Sequence, residues 1–219
     1  MKQIIKKFLP FVLIRFYRFT KSKINQIKFR NEINHLIKSN KEINLIVGSG
    51  DNNYKNWVSS NYPWFDITNI RNINKYFKLK KVNKILAEHV FEHLSLDDGI
   101  KSIKNLKKIL KINGTIRLAV PDGFNPDKNF IEYVKPNGKG PGADDHKILY
   151  NYNSIKNLFD KDFKIYFYEY FDESGNFNYK IWQNDEINGY IKRSRYEDKR
   201  NTSNEIKFNS IILDAKLIN

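Results

Sequence analysis

Strands and helices alternate through the middle of this chain, and that alternation constrains the fold more than any other feature of the sequence. "EINLIVGSGD" carries a short β-branched run, Ile43 to Val47, that ends in glycines, so it reads as a buried strand entering a tight turn. Trp57 to Asn61 is a second extended stretch, with a further short piece around Phe65 to Ile67. Ile70, Ile73, Tyr76 and Phe77 then follow at helical spacing, and "VNKILA" is another strand. Ser95-x-x-Asp98 makes a capping box ahead of a helix striped by Ile100, Ile103, Leu106, Ile109 and Leu110, expected to end at Asn113-Gly114. "TIRLAV", Thr115 to Val120, is a strand stopped by Pro121, and Asp122 to Asn151 reads as a long loop. A short helix at Ser154 to Phe159, strands at Phe163 to Phe171 and Phe177 to Gln183, and a final strand at Phe208 to Ala215 complete the order. The expected fold is α/β: a mainly parallel sheet sandwiched by helices, with an antiparallel C-terminal edge. Ligands of such sheets bind beyond the carboxyl ends of the strands, where the loops at Gly48 to Asn53, Ala87 to His93 and Pro121 onward converge.

With 219 residues the chain suits one sizeable core, and without cysteine it has neither disulfides nor thiolate metal ligands. Its net charge of +15 is unevenly spread: residues 1–42 hold eleven Lys and Arg against two Glu, +9 of the total. We therefore divide the chain into a basic, amphipathic helical segment, 1–42, and a main domain, 43–219. The apolar run Phe8 to Ile14 is too short to span a bilayer, and the basic residues that follow it, with no small-residue cleavage site, argue against secretion. The expected setting is cytoplasmic, with residues 1–30 either meeting an anionic inner-membrane surface or packing on protein. Nucleic acid is the weaker partner, because 31 of the 39 basic residues are lysine in an Asn- and Ile-rich chain.

The densest chemistry lies in "LAEHVFEHLS", where His89-x-x-Glu92-His93 matches a zinc-binding H-x-x-E-H pattern. That pattern needs a long helix, whereas here a strand precedes it and the capping Ser95 follows, so no metal is expected. Glu88 and His89 are expected to face the crevice, with Glu92 and His93 bracing the turn from behind. "VGSGD" lets the backbone turn tightly at Gly48 and Gly50 but lacks the third glycine of a dinucleotide fingerprint. In "GADDHK", His146 is a candidate base with Asp144 or Asp145 orienting it; ordinary capping is the competing reading, and a metal held by Asp122, Asp144 and His146 a weaker one. Arg193 and Arg195 are candidates to clamp an anionic substrate or to form a solvated turn.

Taken in order, "NLIVGSG", "AEHVFEHL" and "LKKILKINGTIRLAVPDG" resemble a class I S-adenosylmethionine-dependent methyltransferase, with the acidic-histidine motif after the fourth strand and the last motif entering the fifth. More closely, the chain resembles a small group of predicted methyltransferases of unassigned substrate, whose pattern continues through "PDGFNPDKNFI", "GPGADDHKILY", "YFDESGNF" and "GYIKRS". The resemblance spans about Asn44 to Ala215 and implies a Rossmann-like sheet with S-adenosylmethionine as cofactor. It implies that Gly48, Ser49 and Gly50 line the cofactor's methionine part, with Glu88 and His89 close by. It also implies an acidic ribose ligand after the second strand; Asn61 stands there, with Asp66 five residues on.

Methyl transfer needs little beyond an acceptor held in line with the methyl group and, for a hydroxyl or amine, a base. The expected catalytic residues are His146, Asp145 and His89, with Asp122, Asp144 and Arg193 binding a small-molecule or glycan-type acceptor. The rival expectations are a methyltransferase-like binding module without catalysis and, less favoured, a nucleic-acid methyltransferase.

Overall fold

The structure is a computed structural model that describes residues 11–77, 81–202 and 206–219. The start of the predicted apolar run, and residues 1–10 of the proposed membrane-facing segment, lie outside the described residues. One seven-stranded sheet organises the chain, in the order β2-β1-β3-β4-β7-β5-β6. The strands are β1 (Ile43–Val47), β2 (Val58–Ser60), β3 (Val82–Glu88), β4 (Leu110–Pro121), β5 (Phe163–Phe171), β6 (Phe177–Tyr179) and β7 (Ser210–Leu217). β2, β1, β3 and β4 are parallel, whereas β7 runs antiparallel between β4 and β5, and β6 pairs antiparallel at the edge. This is the Rossmann-like arrangement expected from the sequence, a parallel core with an antiparallel C-terminal half.

Every residue of β1 is buried, as a continuous apolar run covered on both faces requires. Among the described residues, four α-helices accompany the sheet: α1 (Phe11–Lys38), α2 (Ile70–Ile73), α3 (Leu96–Ile109) and α4 (Lys128–Val134). Ser95 caps α3 as expected, its Oγ accepting from Asp98 N at 3.2 Å. Ile103, Leu106 and Ile109 of that helix are buried in the main core. Gly99 brings α3 close to the 3-10 turn Ser154–Leu158; a Cβ there would lie 2.8 Å from Leu158 Cδ2.

Within the described residues, α1 packs on this core through its C-terminal half. Phe29 and Ile33 of α1 are fully buried, and the Phe29 ring meets Trp64, Phe65 and Tyr76 at centroid distances of 5.0, 5.4 and 5.0 Å. Burial of two such side chains contributes roughly 1.5–3 kcal/mol each.

Several boundaries differ from expectation. Phe65 to Ile67 is not a strand, so the acidic-histidine motif follows the third strand and "TIRLAV" lies in the fourth. α3 passes straight into β4 at Leu110, and Asn113, with φ +64°, lies in a bulge where β4 slips against β3. The chain turns by extending Leu110, so Asn113-Gly114 bends a strand instead of ending a helix. α2 covers only one turn of its predicted span, β6 stops at Tyr179, and the long loop after β4 contains α4.

Candidate functional site

The glycine turn after β1 is fixed by backbone geometry and by one side chain. Gly48 and Gly50 both have left-handed φ values, +64° and +57°, which L-residues adopt at a cost. A Cβ on Gly48 would sit 2.5 Å from Val90 Cγ2, so glycine allows the turn to pack against the motif after β3. Asn61, just past β2, clamps the turn: Gly50 N donates to its Oδ1 at 2.8 Å, and its Nδ2 donates to Ser49 Oγ at 3.0 Å and Gly50 O at 3.1 Å. Asp66 accepts both Thr68 N and Thr68 Oγ1 through Oδ1, leaving Oδ2 without a hydrogen-bond partner among the described residues.

Two cavities open beyond the strand ends. One, of about 480 Å³, lies beside the glycine turn and is lined mainly by apolar groups such as Val47, Tyr62, Phe65 and Val90, with Asp66 at its wall. The other, of about 860 Å³, is lined by Glu88, Glu92, His146, Tyr190 and a rim of mixed charge in which Lys192, Arg193 and Arg200 stand among Glu197 and Asp198. His89 and His93 border both cavities.

Glu88 ends β3, and its Oε1 accepts from Arg193 N at 2.7 Å. Burial pushes its carboxyl above the usual range, against the opposing pull of His89 and of the Arg193 N–H. His89 follows with φ +53°, in the left-handed region that few non-glycine residues adopt. Its Nε2 lies 3.0 Å from Ser210 Oγ and its Nδ1 3.2 Å from Glu92 Oε1. His146 reaches the larger cavity from the other side. Its Nδ1 lies 2.6 Å from Val134 O, and since a carbonyl only accepts, Nδ1 carries the proton and Nε2 the lone pair. The two motifs are held together by Lys147 N donating to Glu92 O at 2.7 Å.

The predicted residues therefore separate into two groups. Gly48, Asp66, Glu88, His89, Asp145, His146 and Arg193 border the cavities. Asp122 is fully buried at the end of β4 and accepts from Phe124 N, Phe171 N and Asn209 Nδ2, so it ties β4 to β5 and touches neither cavity. Asp144 is exposed in the 3-10 turn Ala143–Asp145. Asp145 does not orient His146: its carboxylate lies 3.3 Å from Lys147 Nζ and 3.5 Å from His93 Nδ1, and the Val134 carbonyl orients His146 instead.

Glu92 and His93, expected behind the turn, face the larger cavity. The 3-10 turn Phe91–His93 rotates them inward, a detail that residue spacing does not disclose. Ser210, at the start of β7 and in contact with His89, had no signal in the sequence at all.

No protein-family model matches the chain, and no curated protein matches it. Among solved structures it is similar to an S-adenosylmethionine-dependent methyltransferase from Archaeoglobus fulgidus, at 16% identity and TM-score 0.43, covering 95% of this chain and 99% of that one. It is also similar to a methyltransferase of that kind from Methanosarcina mazei, at 10% identity and TM-score 0.47, covering 81% and 92% of the two chains. A possible histamine N-methyltransferase from Thermotoga maritima is similar at 9% identity and TM-score 0.46, covering 95% and 96%.

Proposed function

We propose that this chain is an S-adenosylmethionine-dependent methyltransferase whose acceptor is a hydroxylated small molecule or saccharide. The observation that carries this reading is the junction of an apolar cavity beside the glycine turn with a larger polar cavity, at His89 and His93. The smaller cavity suits the cofactor: its volume is in the range of ligand sites, Gly50 has open space where a Cβ would stand, and Asp66 Oδ2 has no hydrogen-bond partner among the described residues. When bound, the cofactor supplies an electrophilic methyl group on a sulfonium.

The chain's own part is to hold two molecules in line and to take up a proton. Gly48 to Gly50 offer backbone to the amino-acid portion, and Asp66 accepts from the ribose hydroxyls in place of Asn61, whose amide is committed to the turn. His89 is the base at the junction, steadied by Glu92 and Ser210, and His146 lines the acceptor cavity beside it. Arg193 lies on the rim 3.6 Å from Asp198, where a negative group on the acceptor would compete for it. Transfer of labelled methyl groups, assayed over a panel of acidic and neutral saccharides, tests this; His89→Gln should lower kcat far more than KM. No transfer to any hydroxylated acceptor would remove the acceptor assignment.

The occupied Asn61 favours a second reading, a methyltransferase-like binding module with weakened cofactor affinity. Cofactor binding without turnover would support it.

The N-terminal helix supports an accessory role. Leu13, Phe16, Tyr17, Ile24 and Ile27 are exposed on the side of α1 opposite Phe29 and Ile33, and lysines flank them. Among the described residues no helix is long and apolar enough to cross a membrane. We assign this stripe to reversible binding at an anionic bilayer surface, where a cytoplasmic enzyme would meet membrane-linked saccharide acceptors.

A further inference from the structure

Among the described residues, three polar atoms buried beside the larger cavity have no hydrogen-bond partner, the nearest acidic group to one of them being Asp145 Oδ2, 3.5 Å from His93 Nδ1. Both carboxylate oxygens of Glu92 and Nδ1 of His93 are enclosed without one, although Glu92 is only 1% exposed. A buried carboxylate with no donor is costly unless a cation or proton compensates it. His89 Nδ1, 3.2 Å from Glu92 Oε1, lies at ion-pair distance without forming a hydrogen bond.

We propose that Glu92, His93 and His146 form a binding site for one divalent first-row transition metal ion. One ligand atom from each lies within 4.8 Å of the others. The imidazoles of His93 and His146 stand edge to face with centroids 4.7 Å apart. Two imidazoles and one carboxylate are the donor set that zinc and non-haem iron sites use, with remaining positions open toward a cavity. Bonds of ~2.1 Å in a tetrahedral site put donors ~3.4 Å apart, so the side chains must close by roughly an ångström. His146 is prepared for this: its Nδ1–H is held by the Val134 carbonyl, which leaves Nε2 as the ligating atom, the backbone-carbonyl support commonly found behind metal-bound histidine. His89 would then stand behind Glu92 as an outer partner of the carboxylate.

The H-x-x-E-H pattern in the sequence thus contributes its Glu and second His, but not as a helical pair. The third ligand arrives from "GADDHK", joined to the first motif by the Lys147–Glu92 backbone bond. The site stands on its own geometry, whereas its use rests on the methyl-transfer reading. In that reading an ion here would bind an acceptor oxygen and lower its pKa, so that His89 removes the proton more readily.

The test is calorimetric titration of the chelator-treated full chain with Zn²⁺ alone, in the absence of S-adenosylmethionine, so that the result is independent of methyl transfer. One ion should bind per chain, with affinity falling at least tenfold in Glu92→Gln, His93→Gln and His146→Gln, and unchanged in His35→Gln, which removes an exposed histidine on α1. As a check that needs no variant, the wild-type chain loaded with Co²⁺ should give paramagnetically shifted ring protons from two histidines. Absence of micromolar Zn²⁺ binding, equal affinity in folded cluster variants, or shifted signals from no histidine would each overturn the proposal.

Discussion

Asn61 Oδ1 accepts the Gly50 N–H at 2.8 Å while Asn61 Nδ2 donates to the Gly50 carbonyl at 3.1 Å, so one side-chain amide closes both polar groups of a single glycine. A carboxylate at this position keeps the first bond and sets an oxygen against that carbonyl and Ser49 Oγ. Asn61→Asp should therefore loosen the turn, costing about 1–3 kcal/mol and weakening cofactor affinity. Thermal melts together with calorimetry check this; tighter binding by the aspartate variant would mean that residue 61, and not Asp66, is the ribose ligand.

Glu88 supplies a pH test. Its folded pKa is raised by burial, so its stabilising contribution is fully present below the ordinary carboxylate value of about 4.3 and is lost as pH rises through the folded value. Glu88→Gln keeps an acceptor for Arg193 N and carries no charge. The difference in melting temperature, variant minus wild type, should grow as pH rises from about 4 and then level off. Parallel curves would show that Glu88 titrates normally.

Arg117 of β4 is buried and pairs bidentately with Asp214 of β7, with Nε to Oδ1 and Nη2 to Oδ2 both 2.8 Å. Nη1 donates to Gln183 O and Gly189 O, so the same guanidinium pins the loop after β6 onto the sheet. Asp214→Ala leaves a buried cation and should cost about 3–5 kcal/mol in urea unfolding. Converting both residues to Met and Leu should recover most of that loss; an equal loss in the double variant would place the effect in packing rather than charge.

The exposed stripe on α1 predicts sedimentation with vesicles containing anionic lipid, weakening as salt increases. Replacing Phe16, Ile24 and Ile27 with serine should reduce binding at least tenfold without altering the melting temperature. Equal binding to neutral vesicles, or dimerisation in place of vesicle binding, would contradict the assignment.

The sheet is legible because its strands are short apolar runs between turn residues, and the bounds of β5, Phe163–Phe171, coincide with such a run. The errors fall where tertiary contact decides. Leu110 continues from helix to strand because β3 accepts it in register at Val82, and Asn113-Gly114 bulges as a result. At the site, the convergence of Gly48, Glu88 and His89 follows from their places just after strands. The inward rotation of Glu92 and His93 depends on a 3-10 turn, and the approach of His146 on a backbone bond across 55 residues; neither leaves a periodic mark in the chain.

Calorimetric titration with S-adenosylhomocysteine decides whether the cavity beside the glycine turn takes the cofactor. One site per chain is expected, with a dissociation constant on the order of micromolar, about −8 kcal/mol, and at least a tenfold loss in Asp66→Ala. Absence of heat at roughly millimolar ligand, from protein that melts cooperatively, would contradict it.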